Sequence, residues 1–205
     1  MTAQPAHSEP TIAGAILAGG RCSRFGGRLK GLQEVQPGLS IISREISELR
    51  SAGIRELSIV TNDPEPYRHC GLPTIPDRRP GLGPLGGIEA ALAQYADTCD
   101  TTLFLPCDLP AITQHQIRTL VEAFAGTSAM LVLATHIYWE PLCTVVHNSL
   151  LTTISKALDD GERSPARLWR ELGALPIHFD DPAPFFNINT PDDLADWQAT
   201  QEGHS

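Results

Sequence analysis

The order of apolar and amphipathic segments restricts the fold of this chain more than any other feature. Short apolar runs suited to strands occur at Ile12–Leu17, Glu56–Thr61, Thr101–Leu105, Ala129–Ala134 and Pro141–Val146, with a shorter one at Pro73–Ile75 and a late one at Leu175–His178. Between and after them lie segments with helical patterning: Leu39–Ala52, Pro84–Tyr95, Thr113–Phe124, Ser149–Asp159, Pro165–Leu172 and Pro191–Thr200. Pro84, Pro165 and Pro191 each stand where a helix begins, a place where a fixed φ and a missing N–H cost nothing. Strands alternating with helices predict an α/β fold, a mostly parallel sheet covered by helices on both faces. No repeat or linker divides the chain, so one domain is expected over residues 11–200, with short tails at 1–10 and 201–205.

The chain carries a formal charge of −9 in 205 residues. That balance argues against broad nucleic-acid binding, which depends on neutralising many phosphates. Five cysteines without a C-x-x-C pair fit a reducing cytoplasm better than a disulfide framework. The start, MTAQPAHSEP, lacks the apolar stretch of a signal peptide. No run approaches the roughly 20 apolar residues of a membrane span. A cytoplasmic protein without a membrane or nucleic-acid partner is expected.

Against the acidic background, one short region is cationic. The first apolar run ends in Leu17-Ala18-Gly19-Gly20, and Arg21, Arg24, Arg28 and Lys30 follow, with Gly26 and Gly27 among them. Glycine lets backbone N–H groups come close to a ligand, and cations beside such groups make a site for phosphate oxygens. Lys30 is the leading candidate for gripping phosphate, followed by Arg24 with its planar fork. A G-x-x-x-x-G-K-[ST] loop is absent. The G-x-G-x-x-G at Gly81, Gly83 and Gly86 follows PDRRP and no first strand, so it does not read as a dinucleotide fingerprint.

In a sheet of this kind ligands bind beyond the C-terminal strand ends, and several polar residues fall there. Asp108, after Thr101–Leu105 and between prolines, suits Mg²⁺, which takes one or two protein carboxylates and fills its other positions with phosphate and water. It also suits a turn cap. Asp77 could accept hydrogen bonds from a base or pair with Arg78 and Arg79. Asn187 and Asn189 put two carboxamides on one side of an extended segment. They could clasp a ligand or bind the turn before the last helix. Cys107 reads as a small buried residue rather than a nucleophile, since no histidine is near it in sequence. Histidines at metal-ligand spacing and a G-x-S-x-G elbow are both absent, so the expected chemistry needs no protein nucleophile.

LAGGRCSRFGGRLKGL resembles the signature of the molybdenum cofactor guanylyltransferases, LAGG-x-x-x-R-M-G-G-x-D-K-G-L. Further matches follow in order: Asn62, Pro76-Asp77, Gly83-Pro84-Leu85-Gly86-Gly87-Ile88, Pro106-Cys107-Asp108, Glu140-Pro141-Leu142, Gly161-Glu162-Arg163 and Asn187-Ile188-Asn189-Thr190-Pro191. The resemblance implies a Rossmann-like three-layer α/β/α nucleotidyltransferase that joins GMP from GTP to the phosphate of molybdenum-molybdopterin and releases diphosphate. It implies that Leu17, Ala18, Gly19 and Gly20 line the nucleotide pocket and that Lys30 holds the triphosphate. Asn62 and Asp77 would contact guanosine, Asp108 would bind Mg²⁺, and Asn187 and Asn189 would face the pterin substrate. Lys30, Asp108 and Arg24 would form the catalytic set. Transient contact with molybdopterin-synthesis or molybdoenzyme-maturation proteins is a further expectation.

The chain departs from the signature at Cys22, Phe25 and above all Leu29, where the family has Asp. Cys22, among cations, is a candidate for a lowered thiol pKa. The alternatives are a cytidylyltransferase acting on the same pterin, whose members tend to read LAAG; a related NTP transferase such as a sugar-phosphate nucleotidyltransferase, whose usual G-x-G-T-R-L loop is absent here; and a nucleotide or cofactor carrier without turnover, which the Leu29 departure keeps in view.

Overall fold

The central strands are buried almost continuously, and their side chains alternate between the two covered faces of one sheet. Ala13, Ala15 and Leu17 of the first strand join one apolar cluster, while Ile16 joins the other. The structure is a computed structural model that describes residues 11–19 and 29–202. The expected N-terminal tail, the last three residues of the C-terminal one, and Gly20, Cys22 and Arg24 lie outside the described residues.

The elements, in chain order, are β1 (Ile12–Leu17), β2 (Glu34–Gln36), β3 (Leu39–Ser40), α1 (Ile41–Ser51), β4 (Glu56–Val60), β5 (Thr74–Ile75), α2 (Pro84–Tyr95) and β6 (Thr101–Pro106). After these come α3 (Gln114–Ala125), β7 (Leu131–Thr135), β8 (Trp139–His147), α4 (Leu151–Asp159), α5 (Pro165–Glu171), β9 (Leu175–His178) and α6 (Pro191–Glu202). Seven strands form one sheet in the order β5-β4-β1-β6-β8-β7-β9. Only β8 runs against the rest, pairing antiparallel with both β6 and β7. Helices α1 and α3 cover one face, and α2, α4 and α5 cover the other. The architecture is therefore the three-layer α/β/α arrangement with a largely parallel sheet.

The sequence reading needs correction at several places, among them the strand expected at Ala129–Ala134, which runs Leu131–Thr135. The first helix begins at Ile41, not Leu39, because Leu39–Ser40 pairs antiparallel with Glu34–Gln36 across a turn containing Gly38 at φ 76°. Ser40 then caps α1, its hydroxyl accepting from the Ser43 amide. Residues Asn148–Leu150 form a separate 3₁₀ turn before α4. The strand expected from Pro141 starts earlier, at Trp139. Its register with β7 shifts between Leu133 and Ala134, and an irregularity of that kind accommodates a proline that cannot donate to the ladder.

Glu45 of α1 lies wholly inside the protein at 0% exposure. Its Oε1 accepts from the Leu109 amide at 3.1 Å, and its Oε2 is buried without a hydrogen-bond partner. Burial pushes this carboxyl well above the usual range, with the Leu109 hydrogen bond pulling the other way and the nearby Asp108 charge adding to the rise. The folded chain thus keeps a proton here that the unfolded chain releases near its ordinary pKa of about 4.3. Stability from this group is therefore lost as pH rises above that value. Glu45→Gln keeps the acceptor and removes the ionisation. Urea unfolding should show the variant gaining on the parent as pH rises from about 4. A stability difference that does not change with pH would contradict this.

Candidate active site

The C-terminal ends of β1, β4, β5 and β6 open onto a cleft of about 810 Å³. Its floor is Leu17, Ala18 and Gly19, where β1 stops. Asn62 and Asp77 stand toward the β4–β5 side of the sheet, Lys30 and Asp108 toward β6, and all four line the same cleft. The sequence reading placed these residues on separate loops, and the fold brings them together. Gly20 and Arg24, also expected here, lie outside the described residues.

Asn62 and Asp77 brace one another. The Asn62 Nδ2 donates to Asp77 Oδ2 at 2.8 Å, and the Asp77 amide donates to Asn62 Oδ1 at 2.9 Å. Neither neighbouring arginine takes part in that pair. Arg79 turns the other way: its Nε and Nη2 bind the two carboxylate oxygens of Glu89 at 3.2 and 2.5 Å, and its Nη1 binds Asp159. Glu89 also accepts from the Ser155 hydroxyl at 2.6 Å. Burial would raise the Glu89 carboxyl, but these bonds outweigh it and hold the group below its ordinary value. The result is a strut that ties the loop after Asp77 to α2 and α4. That loop contributes Gly81 and Gly83 to the cleft, at φ 80° and 67°. Gly83 is the N-cap of α2, with Pro84 in the first turn. Two of the glycines set aside as a failed dinucleotide motif, Gly81 and Gly83, thus form a cleft wall; the signal that could have found them is the Gly83-Pro84 helix start six residues after Asp77.

At the other side, Lys30 Nζ donates to Asp108 Oδ2 at 3.2 Å and to Asn189 Oδ1 at 2.7 Å. Lys30 starts a 3₁₀ turn, Lys30–Leu32, pressed onto the end of β6. A Cβ on Gly31 would lie 3.1 Å from Cys107 Cβ and 3.2 Å from the Cys107 carbonyl oxygen, so a larger residue would press this turn away from the end of β6 by a few tenths of an ångström. Leu29, the departure from the family signature, packs against the hydrophobic core and also borders the cleft. Cys107 is half-buried at the cleft, and burial drives its thiol far above the ordinary range, with Glu45 and Asp108 adding to the effect, which disfavours the nucleophilic thiolate.

Burial likewise raises the Asp108 carboxyl, against the opposing pull of Lys30. Its Oδ1 is buried with no hydrogen-bond partner. An orphaned carboxylate oxygen beside a cleft suits a Mg²⁺ ion, which needs only one or two protein carboxylates when phosphate and water fill its other positions. Among the described residues no three His, Cys, Asp or Glu side chains converge as a ready-made cage.

The asparagine pair divides. Asn187 donates to the Phe185 carbonyl at 3.2 Å, whereas Asn189 reaches Lys30. Glu140 binds His136 at 2.8 Å, and Glu162 is held by Arg167 and the amides of Arg163 and Ser164. Neither acid lines the cleft, although Leu142 of the Glu140-Pro141-Leu142 match does.

A family model described as MobA-like NTP transferase domain matches residues 14–175. The chain belongs to this family. It is 34% identical over 186 residues to a molybdenum cofactor guanylyltransferase of Vibrio cholerae, covering 90% of each chain. It is 32% identical over 189 residues to one of Vibrio parahaemolyticus, covering 91% of this chain and 95% of that one. The crystal structure of molybdopterin-guanine dinucleotide biosynthesis protein A from Archaeoglobus fulgidus shares the fold, with a TM-score of 0.75 over 93% of this chain and 99% of that one at 23% identity. The chain is thus a nucleotidyltransferase of MobA-like type. Among the described residues no helix is long and apolar enough to cross a membrane.

Removing Arg79 from the strut leaves the Glu89 carboxylate without its main partner and frees the loop that carries Gly81 and Gly83. Arg79→Met should lower the unfolding midpoint and weaken nucleoside triphosphate binding severalfold. Calorimetry and a binding titration check this, and unchanged values in both would rule the strut out as a support for the cleft.

Proposed function

We propose that this chain transfers GMP from GTP to the phosphate of molybdenum-molybdopterin, releasing diphosphate and forming the guanine dinucleotide cofactor. The observation that carries the proposal is the distribution of charge along one cleft: an acceptor-rich Asn62–Asp77 pair at one side and a Lys30–Asp108 pair at the other. The names of the curated relatives support the same substrates.

A carboxylate accepts hydrogen bonds and donates none. Asp77 therefore suits the guanine edge, which presents two adjacent N–H donors, better than the cytosine edge, which presents a donor beside an acceptor. Its orientation is fixed before the nucleotide arrives, because Asn62 holds both its carboxylate and its main-chain amide. The backbone over Leu17–Gly19 would pass beneath the nucleotide, and Lys30 would bind the triphosphate.

The acceptor is a phosphate monoester, whose second pKa is about 6. It is ionised near neutral pH and needs no general base, which agrees with a cleft that no histidine lines among the described residues. The work left to the protein is alignment and charge neutralisation. Lys30 would offset charge on the leaving diphosphate. Asp108 would hold Mg²⁺ through its orphaned oxygen, and a metal bound there supplies screening between the two anionic substrates.

Purified protein with Mg²⁺, molybdopterin cofactor and radiolabelled GTP or CTP tests the proposal. GTP should be converted with release of diphosphate, and CTP should not. Lys30→Met and Asp108→Asn should each lose about 3 kcal/mol of transition-state stabilisation, the scale of one electrostatic group acting on developing charge. Asp77→Asn should narrow the preference for GTP. Binding of GTP without diphosphate release would favour a carrier, and conversion of CTP in its place would replace guanine with cytosine in the reading.

A further inference from the structure

The pterin-facing role expected for Asn189 conflicts with what its side chain does. Its Oδ1 is already engaged by Lys30 Nζ at 2.7 Å, a shorter contact than the 3.2 Å between the same ammonium and Asp108. Its Nδ2 points back along the chain, to the Asn187 carbonyl at 3.4 Å.

The backbone at this position is fixed from both sides. Before it, Ile188 is fully buried in a small cluster with Val35, Ile41 and Trp197, and its amide donates to the Asp108 carbonyl at 2.9 Å. After it, Asp193 Oδ2 accepts from the amides of both Asn189 and Thr190 at 2.8 Å, while the Asp193 amide donates to the Thr190 hydroxyl at 3.2 Å. These reciprocal bonds across the start of α6 are a capping box. The start of a helix thereby presents one carboxamide oxygen to one lysine, 159 residues away in sequence.

We infer that Asn189 is a positioning residue for Lys30 rather than a contact for the acceptor substrate, and that the capping box of α6 sets the place of the ammonium. The inference rests on the reading of Lys30 as the group that grips the triphosphate. An ammonium has three N–H donors. Asp108 and Asn189 take two of them, which leaves one for a phosphate oxygen. The two holders differ in kind. Asp108 is an anion that a cation and a phosphate chain would both perturb. Asn189 is neutral, so it holds the ammonium without repelling the triphosphate and without depending on what else binds at Asp108.

The test has one readout that needs no nucleotide. Lys156 is the only other lysine of the chain. Its ammonium is exposed and paired with Asp160, so it serves as an internal reference. Amine acylation of the ligand-free protein, followed by peptide mass spectrometry, reports how firmly Lys30 is held. In Asn189→Ala the labelling of Lys30 should rise severalfold relative to Lys156. In Asn189→Asp, which keeps an oxygen at the same place, it should stay at or below the parent's level.

The second readout is GTP binding with Mg²⁺ and no acceptor, by titration calorimetry. Asn189→Ala should weaken it about tenfold, the scale of one hydrogen bond to a charged group. The same change should add little in a Lys30→Met background, since the group being positioned is gone. Labelling of Lys30 unchanged in the alanine variant overturns the inference. So does a rise shared equally by Lys156, or an effect that appears only when molybdopterin is added. A parent protein that binds no GTP refutes the proposed function alone, and the labelling result still decides the role of Asn189.

Discussion

Lys30 and Asp108 are 78 residues apart in sequence and meet at 3.2 Å, and the chemistry available to this cleft depends on that meeting. It rests on a packing constraint rather than on attraction alone. β1 lies beside β6 in parallel register from Ile12 to Leu17, so both strands end at the same edge of the sheet. The turn that carries Lys30 then settles onto the end of β6, with only a hydrogen where a Cβ on Gly31 would strike Cys107. Two opposite charges are thus brought together by van der Waals contact on one side and by the Ile188 amide on the Asp108 carbonyl on the other. Neither charge is fully satisfied, and a ligand can use what remains.

A second theme is the division of labour among acids in a chain of net charge −9. A polyanionic substrate requires that carboxylates near the cleft be spoken for. Asp77 is braced by Asn62, Glu89 by Arg79, and Asp193 by the amides of Asn189 and Thr190 just before α6. Glu45, behind the Asp108 loop, has its carboxyl pushed up by burial. Glu45 and Asp108 each keep one buried oxygen without a hydrogen-bond partner, and of these two it is Asp108 that lines the cleft. That contrast is what marks it out among the acids at the cleft.

Much of this was legible in the sequence because it follows from local pattern. The strands Ile12–Leu17 and Leu175–His178 and the helix Pro84–Tyr95 have the bounds that apolar periodicity and proline placement give. The strand-end rule gathers Gly19, Asn62, Asp77 and Asp108 without any contact being known. What stayed hidden depends on pairing at a distance. The Glu34–Ser40 hairpin is too short to leave a periodic signal, so its second strand merged with the helix that follows. The reversal of β8 leaves no trace in its composition. Whether Arg79 binds Asp77 or Glu89, and whether Asn189 meets a ligand or Lys30, turns on which helices pack beside them, and spacing alone carries no information about that.

Cys107 sits at the rim of the cleft beside Asp108, a place where a reactive sulfur would be a liability. Burial keeps its thiol protonated, and it is the thiolate that peroxides and electrophiles attack. A raised thiol pKa lowers the share of thiolate at this position, and with it the rate at which such reagents attack. The same methylene and sulfur that Gly31 packs against act as inert filler, and the protection comes from the packing itself.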